Sequence, residues 1–217
     1  MRIDIVFDTV CPWCFVGSRR LTHALAMRPG VPVDLRYHPF LLNPDMPPGG
    51  IERSLYLERK FGGGHRARRV LEAVTMAARG AGVTFHFEAI KRMPNSVDSH
   101  RLLRVAQEEG LIEPALDAVF RAFFQEGQDI GDRSVLLRIG EAVGLSPALV
   151  EAAFERPAAI AEIRSANARA HAMGISGVPS FVFNDSYAIA GAQEPDVLLR
   201  LIDLALETQV RDPVTVS

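Results

Sequence analysis

The sequence predicts an α/β fold in which a small sheet is interrupted by a large helical insertion. Three observations predict it: residues 3–37 read strand, helix, strand; the block 51–173 is almost entirely helical in pattern; and residues 181–208 read as a hairpin followed by a helix. Strands at both ends of the chain can join one sheet if the long connection packs beside it. We therefore predict a sheet core at 1–50 and 174–208, a helical insertion domain at 51–173 and a tail at 209–217.

The N-terminal elements follow from simple patterns. Residues 3–7 form a short apolar and β-branched run, which predicts a strand. From 12 to about 27 the apolar side chains recur near helical spacing, and Pro12 suits a first turn because its missing N–H is not needed there. Residues 33–37 alternate between apolar and polar, as in a strand with one buried face. The loop 43–50 is rich in proline and glycine and closes this part.

The later elements are marked by turn and cap residues. Apolar helical faces occur at 102–106 and 118–124, and prolines follow cap positions at Ser146 and Arg156, so the insertion is expected to be a helical bundle. The runs at 181–183 and 187–190 flank an Asn-Asp-Ser turn and predict a hairpin. Pro195 then opens a last helix, after which no pattern is left.

Composition excludes several classes of protein. The chain has 217 residues, 48% of them hydrophobic, and a formal charge of −2, so a core is expected and neither nucleic acid nor an anionic membrane is favoured as partner. No early or late apolar stretch resembles a signal peptide or a membrane span, and we expect a cytoplasmic protein. The two cysteines, Cys11 and Cys14, are too few for a disulfide framework or a thiolate zinc site, and no metal site is predicted.

The Cys11-Pro12-Trp13-Cys14 segment is the first functional signal. It lies where the first strand gives way to the first helix, and a helix N-terminus stabilises a thiolate through its N–H groups and dipole. Cys11 is therefore predicted to attack a disulfide, and Cys14, one turn on, to resolve the mixed disulfide. Asp8, three residues before Cys11, either accepts a proton through water or, as loop aspartates more often do, caps backbone N–H groups.

A second signal is Gly177-Val178-Pro179, directly before the first strand of the hairpin. With a Cys-x-x-Cys upstream, this proline is the one that the thioredoxin fold places beside its dithiol, usually after a cis bond. The run Phe7–Gly17 resembles the FrnE-like branch of the DsbA family. So do His38–Pro44, the segments around Asn95 and His100, and the run Ala190–Gln193 after the hairpin.

The resemblance covers nearly the whole chain. It implies a thioredoxin-like core with a helical insertion, in which Cys11, Cys14 and cis-Pro179 are catalytic. The Val178 backbone is then expected to pair with an extended substrate. The expected substrate-binding residues are Pro12, Trp13, Val178, Asn43, Asn95 and His100, although Asn43 and Asn95 have an equally good reading as turn or cap residues and His100 as a surface helix residue.

Two activities agree with this resemblance. The first is a thiol–disulfide oxidoreductase acting on protein or small-molecule thiols and disulfides, with no metal or organic cofactor required and with glutathione as reductant or co-substrate. In a reducing cytoplasm, reductase or isomerase activity is favoured over net oxidation. The alternative is a glutathione-dependent isomerase or transferase similar to 2-hydroxychromene-2-carboxylate isomerase or the kappa-class transferases. Because this sequence keeps both cysteines, the disulfide oxidoreductase activity is favoured over the glutathione-dependent one. The oligomeric state is left open, with a homodimer as one option.

Overall fold

The structure is a computed structural model that describes residues 1–211, with the side chains of 1–208. The strands are β1 (Arg2–Phe7), β2 (Asp34–Pro39), β3 (Ile51–Glu52), β4 (Arg92–Met93), β5 (Ser180–Phe183) and β6 (Tyr187–Ala190). The helices are α1 (Pro12–Ala26), α2 (Arg53–Phe61), α3 (Gly64–Gly80), α4 (Val97–Glu108), α5 (Ile112–Phe124), α6 (Arg133–Ala142), α7 (Pro147–Glu155), α8 (Pro157–Ala172) and α9 (Pro195–Arg211). None of the helices in this part of the chain is long and apolar enough to cross a membrane.

The main sheet has the order β2-β1-β5-β6. The first strand pairs with β2 in parallel and with β5 in antiparallel orientation, so it is central, and its residue Ile5 faces Tyr37 on one side and Phe181 on the other. The strands before and after the helical block therefore share one sheet. This confirms the α/β fold with a helical insertion that the sequence predicts.

The hydrophobic core is continuous between the sheet and the helical insertion. Phe15 on α1 stacks on Phe120 of α5, with ring centroids 5.1 Å apart and planes inclined by 20°, and also lies near Phe124. All three rings are buried and belong to the same cluster as the strand residues Ile3 and Phe181. The first helix is thus packed between the sheet on one side and the insertion on the other.

The expectation that almost all of 51–173 is helical is wrong for the segment between α3 and α4. In this segment the short strand β4 pairs antiparallel with β3, which precedes α2, and residues 83–90 form neither helix nor strand. In this segment Val83 and Phe85 are buried while Thr84 and His86 are exposed, which is the alternation of extended chain. Gly82, at a φ of +67°, ends the preceding helical turn.

The C-terminal boundary differs slightly from the expected one. The last helix continues to Arg211, so the first residues of the segment assigned to the tail, 209–217, are helical in backbone. Residues 212–217 of that segment lie outside the described part of the chain.

Candidate active site

The two cysteines lie at the start of α1. Cys11 is the N-cap residue, with φ −93° and ψ 113°, and Pro12 occupies the first helical turn. The Cys14 N–H donates to the Cys11 carbonyl at 3.0 Å, which places both side chains on one turn. Both cysteines are free thiols, and their residues are only 4% and 2% exposed. The strand-to-helix junction expected from the sequence therefore presents a dithiol at a helix N-terminus.

The two thiols differ in their surroundings. Burial raises the pKa of the Cys14 thiol well above its ordinary value, and its contact with Cys11 adds to the rise. Cys11 instead stands at the N-cap of the 15-residue helix, close to the free N–H groups of the first turn. The arrangement suits a nucleophile at Cys11 and a protonated partner at Cys14.

The proline segment completes this face of the site. The Val178–Pro179 peptide bond is cis, and the Cys11 thiol donates a hydrogen bond to the Val178 carbonyl over 3.5 Å. Ser180 begins β5 directly afterwards, and its hydroxyl donates to the Gly177 carbonyl at 2.8 Å. Backbone groups beside the nucleophilic sulfur are what an extended substrate needs for alignment.

A buried carboxylate lies behind the dithiol. Asp8 follows β1 and its side chain is fully buried; the Leu42 N–H donates to Oδ2 at 2.7 Å and the Val10 N–H to Oδ1 at 3.4 Å. His100 Nε2 lies 3.3 Å from the same Oδ1. The side chain thus makes the backbone contacts expected of a loop aspartate, and in addition it pairs with a histidine from the insertion.

The other predicted binding residues lie in three different situations. Trp13 is partly buried and packs against the core beside the cysteines. The side chain of Asn95 makes structural hydrogen bonds: its amide nitrogen donates to the Met46 carbonyl at 2.6 Å, and its Oδ1 accepts from the Val97 N–H at 2.9 Å. His100 is 2% exposed and points to Asp8 rather than to the surface. Their roles in substrate binding stay predictions.

Asn43 and Tyr56 meet near Cys11. The Asn43 amide nitrogen is buried without a hydrogen-bond partner among the described residues. Burial raises the pKa of Tyr56, the nearby Asn43 amide opposes this rise, and the charges of Asp8 and Cys11 add to it. Sequence analysis missed Tyr56 because a tyrosine in an amphipathic helix carries no signal of its own.

A dithiol beside a cis-proline, at the carboxyl end of the central strand of a four-stranded sheet, defines a thioredoxin-type thiol protein. The family model for the DSBA-like thioredoxin domain matches residues 2–203, so the chain belongs to that family. The match confirms both the thioredoxin-like fold and the DsbA resemblance inferred from the motifs.

Solved structures agree with this assignment. A probable DsbA oxidoreductase from Streptomyces coelicolor is 30% identical, with a TM-score of 0.87 over 100% of this chain and 94% of that one. The cytosolic disulfide reductase DsbM from Pseudomonas aeruginosa, solved with GSH, is 22% identical, with a TM-score of 0.68 over 98% and 100% of the two chains. A 2-hydroxychromene-2-carboxylate isomerase is 18% identical, with a TM-score of 0.70 over 97% of each chain. At identities of 22% and 18%, the similarity to the last two structures shows the fold alone.

Proposed function

We propose that this protein is a cytoplasmic thiol–disulfide oxidoreductase that reduces or isomerises disulfides through Cys11 and Cys14. The observation that carries the proposal is the placement of Cys11 Sγ at the N-terminus of α1, 3.5 Å from the Val178 carbonyl, with Cys14 one turn away. This arrangement gives one thiol the role of nucleophile and the other the role of resolving group.

The reaction follows from these roles. The Cys11 thiolate attacks one sulfur of a substrate disulfide, forming a mixed disulfide and releasing the other sulfur as a thiolate. Cys14 then loses its proton and attacks Cys11 Sγ, which forms the Cys11–Cys14 disulfide and releases the second substrate thiol. Two glutathione molecules return the pair to dithiols and leave as glutathione disulfide. No metal or organic cofactor takes part in these steps.

Two observations support the proposal that glutathione is the reductant and that the protein reduces disulfides rather than forming them. A dithiol in a glutathione-rich compartment stays mostly reduced unless its reduction potential is unusually high. A structural neighbour, DsbM, is described as a cytosolic disulfide reductase and was solved with GSH. Protein and small-molecule disulfides are the proposed substrates.

The test is the fluorescence of Trp13, the single tryptophan of the chain, across a series of glutathione redox buffers. We expect one reversible two-electron transition in the wild-type protein and none in the Cys11→Ser or Cys14→Ser variant. The Cys14→Ser variant should instead accumulate a glutathione adduct at Cys11, visible by intact mass. Absence of the transition in the wild-type protein would refute the dithiol function.

A glutathione-dependent isomerase or transferase is the second candidate, and the isomerase fold neighbour is compatible with it. The two candidates differ in their need for the resolving thiol. Isomerase turnover on an aromatic substrate would require added glutathione and would persist in Cys14→Ser, whereas disulfide reductase turnover would be lost.

A further inference from the structure

Helices α2 and α3, with the two glycines that join them, span residues 53–80 and concentrate positive charge. This helix pair contains seven arginine and lysine residues and only two glutamates, whereas the whole chain has a formal charge of −2. Six of the seven cations are exposed: Arg59, Lys60, Arg66, Arg68, Arg69 and Arg79. An excess of one sign of charge on part of a surface creates a local field that attracts groups of the opposite sign.

The cations of the helix pair are not neutralised by the rest of the described chain. None of the seven forms an ion pair within residues 1–208. Arginines elsewhere are often paired, as Arg28 is with Asp203. The seventh cation, Arg53, lies over the ring of Phe87, with its Cζ 5.8 Å from the ring centroid. The positive charge of the pair is therefore available to a partner.

The same two helices line an apolar groove of about 550 Å³. Its apolar lining comes from both helices and from one ring beyond α3: Leu57, Ala67, Leu71, Met76 and Phe87. The charged residues of its lining are Arg68, Glu72 and Arg79, so cations outnumber carboxylates at the groove itself. Met76 is 72% exposed, and methionine is an adaptable apolar side chain that is enriched at binding surfaces. Exposed apolar surface with charges around it marks a site of interaction with another molecule.

The groove lies beside the dithiol. Its Phe87 wall stacks on Phe85, with ring centroids 4.7 Å apart, and the ring of Phe85 meets that of Phe15 at 6.1 Å. Phe15 follows Cys14 directly in α1. On α2, one residue lines the groove and its neighbour Tyr56 packs against the core cluster that contains both cysteines. A docked protein covers about 800 Å² of its partner, a patch about 30 Å across, so a protein that presents its disulfide to this site is large enough to cover the groove as well.

Two other occupants fit this surface less well. A second copy of the chain bound through the same face would bring the cations of both helix pairs together, and like charges across an interface are costly. A membrane-binding helix presents its apolar side chains as an outward stripe that inserts among lipids, whereas here the apolar side chains line a recess. A protein segment that carries carboxylates and apolar side chains matches both the charge and the recess.

We propose that the groove of α2 and α3 docks protein substrates whose disulfide is flanked by an acidic and apolar segment. The carboxylates of this segment pair with Arg68, Arg79 and the exposed cations around them, and its apolar side chains enter the groove beside Met76 and Phe87. Docking holds the substrate disulfide at the dithiol, so it raises the rate of the first attack by Cys11. The inference rests on the proposed dithiol function and adds a substrate class to it.

The first experiment compares two synthetic peptides as substrates of the reduced full-length protein. Each peptide carries one cysteine, joined by a disulfide to an aromatic thiol whose release is followed by absorbance, and the same leucine and phenylalanine residues. One peptide has several glutamates beside the cysteine, and the other has lysines at the same positions. At low ionic strength the acidic peptide should react at least about tenfold faster, and the ratio of the two rates should fall as salt is raised to about 0.5 M, because salt screens exposed charges.

The second experiment assigns this preference to the groove. Each rate is divided by the rate with a small neutral aromatic disulfide, so that any change in the reactivity of the dithiol cancels. Arg68→Glu combined with Arg79→Glu should reduce the ratio of acidic to basic rates to about one or below. Arg164→Glu combined with Arg200→Glu is the matched control and should keep the wild-type ratio. Both control arginines are exposed, lie outside the helix pair on α8 and α9, and form no ion pair in the part of the chain whose side chains are described.

Three results would overturn the docking site: equal rates for the two peptides in the wild-type protein, a preference that survives in the Arg68 and Arg79 variant, or a preference that the control variant loses to the same extent. Vesicles of phosphatidylglycerol and phosphatidylcholine test the membrane. Binding that the Arg68 and Arg79 variant loses, without any peptide preference, would assign the surface to lipid instead. A wild-type protein that releases no aromatic thiolate from the small disulfide would refute the dithiol function itself, and the substrate class would fall with it.

Discussion

Gly17 offers the sharpest test of how α1 is held against the active-site proline. A Cβ atom at this position would lie 2.8 Å from Pro179 Cγ and 3.3 Å from Phe181 Cζ, and real Cβ contacts essentially never fall below 3.0 Å. The proline ring is tied to its own backbone and Phe181 is fully buried, so neither neighbour can move away freely. Gly17→Ala therefore forces the helix and the cis-proline segment apart.

The magnitude follows from two opposing effects. Replacing glycine by alanine inside a helix contributes about 1 kcal/mol of stability. Forcing an extra methyl group into a packed core costs about 1–3 kcal/mol, so we expect a net loss of about 1 kcal/mol at Gly17. Gly80, the last residue of α3, has no atom within 4 Å of its Cβ position, and Gly80→Ala should be neutral or stabilising by up to about 1 kcal/mol. The same glycine-to-alanine substitution is thus expected to lower the stability of the protein at Gly17 and to leave it unchanged or raise it at Gly80.

Urea unfolding of the reduced protein, followed by far-ultraviolet circular dichroism, measures both variants. The rate of Cys11 alkylation gives a second readout, because displacement of the proline segment disturbs the hydrogen bond from Cys11 to Val178. A Gly17→Ala variant at least as stable as the wild-type protein would refute the close approach of α1 to Pro179.

Three further predictions address the thiols, a buried cation and a hydroxyl pair. Burial raises the pKa of Cys14, so iodoacetamide at about pH 8 should label Cys11 alone in peptide maps. Because the raised pKa belongs to the folded state, the reduced protein should also lose stability above about pH 9, and this loss should be smaller in Cys14→Ser, where buried tyrosines such as Tyr56 still contribute. Arg101→Ala should lower the free energy of unfolding, measured by urea titration, by about 3–5 kcal/mol. The reason is that the guanidinium of Arg101 is only 1% exposed, pairs with Asp98 and donates to two backbone carbonyls near the junction of α7 and α8. A loss below about 1 kcal/mol would contradict this reasoning. Ser99→Ala should cost about 1–3 kcal/mol by leaving the buried Thr9 hydroxyl, 2.7 Å away, without its partner, and adding Thr9→Val should recover part of that loss in the same titration.

Local patterns in the sequence account for the elements that hold the dithiol. The strand, the proline-started helix and the hairpin each depend on residues near one another in the chain, and β1, α1, β5 and β6 lie where those patterns place them. The segment 83–90 shows the limit of this reasoning. Its short alternation stands directly after a strong helical pattern, and only the packing of Val83 and Phe85 into the core reveals an extended chain.

The contacts behind the dithiol could not be predicted, because they join segments about ninety residues apart in sequence. Asp8 meets His100, and Thr9 meets Ser99, through hydrogen bonds that no spacing or periodicity encodes. Asn95 illustrates a different limit. An asparagine suits a binding role and a turn role equally well, and in the structure both its amide nitrogen and its Oδ1 are hydrogen-bonded to backbone groups. Tertiary packing determines which of two such roles a polar side chain takes.

The stack of Phe15 on Phe120 and Phe124 limits how this fold can be re-engineered. Exchanging the helical insertion for that of another protein would remove the rings on which the thiol-bearing helix rests. A chimaera would keep Cys11 and Cys14 in place only if the incoming helices carried aromatic surfaces of matching shape, or if α1 were transplanted together with them. The helical insertion is therefore part of the support of the dithiol, and a designer has to treat α1 and the helices packed on it as one structural unit.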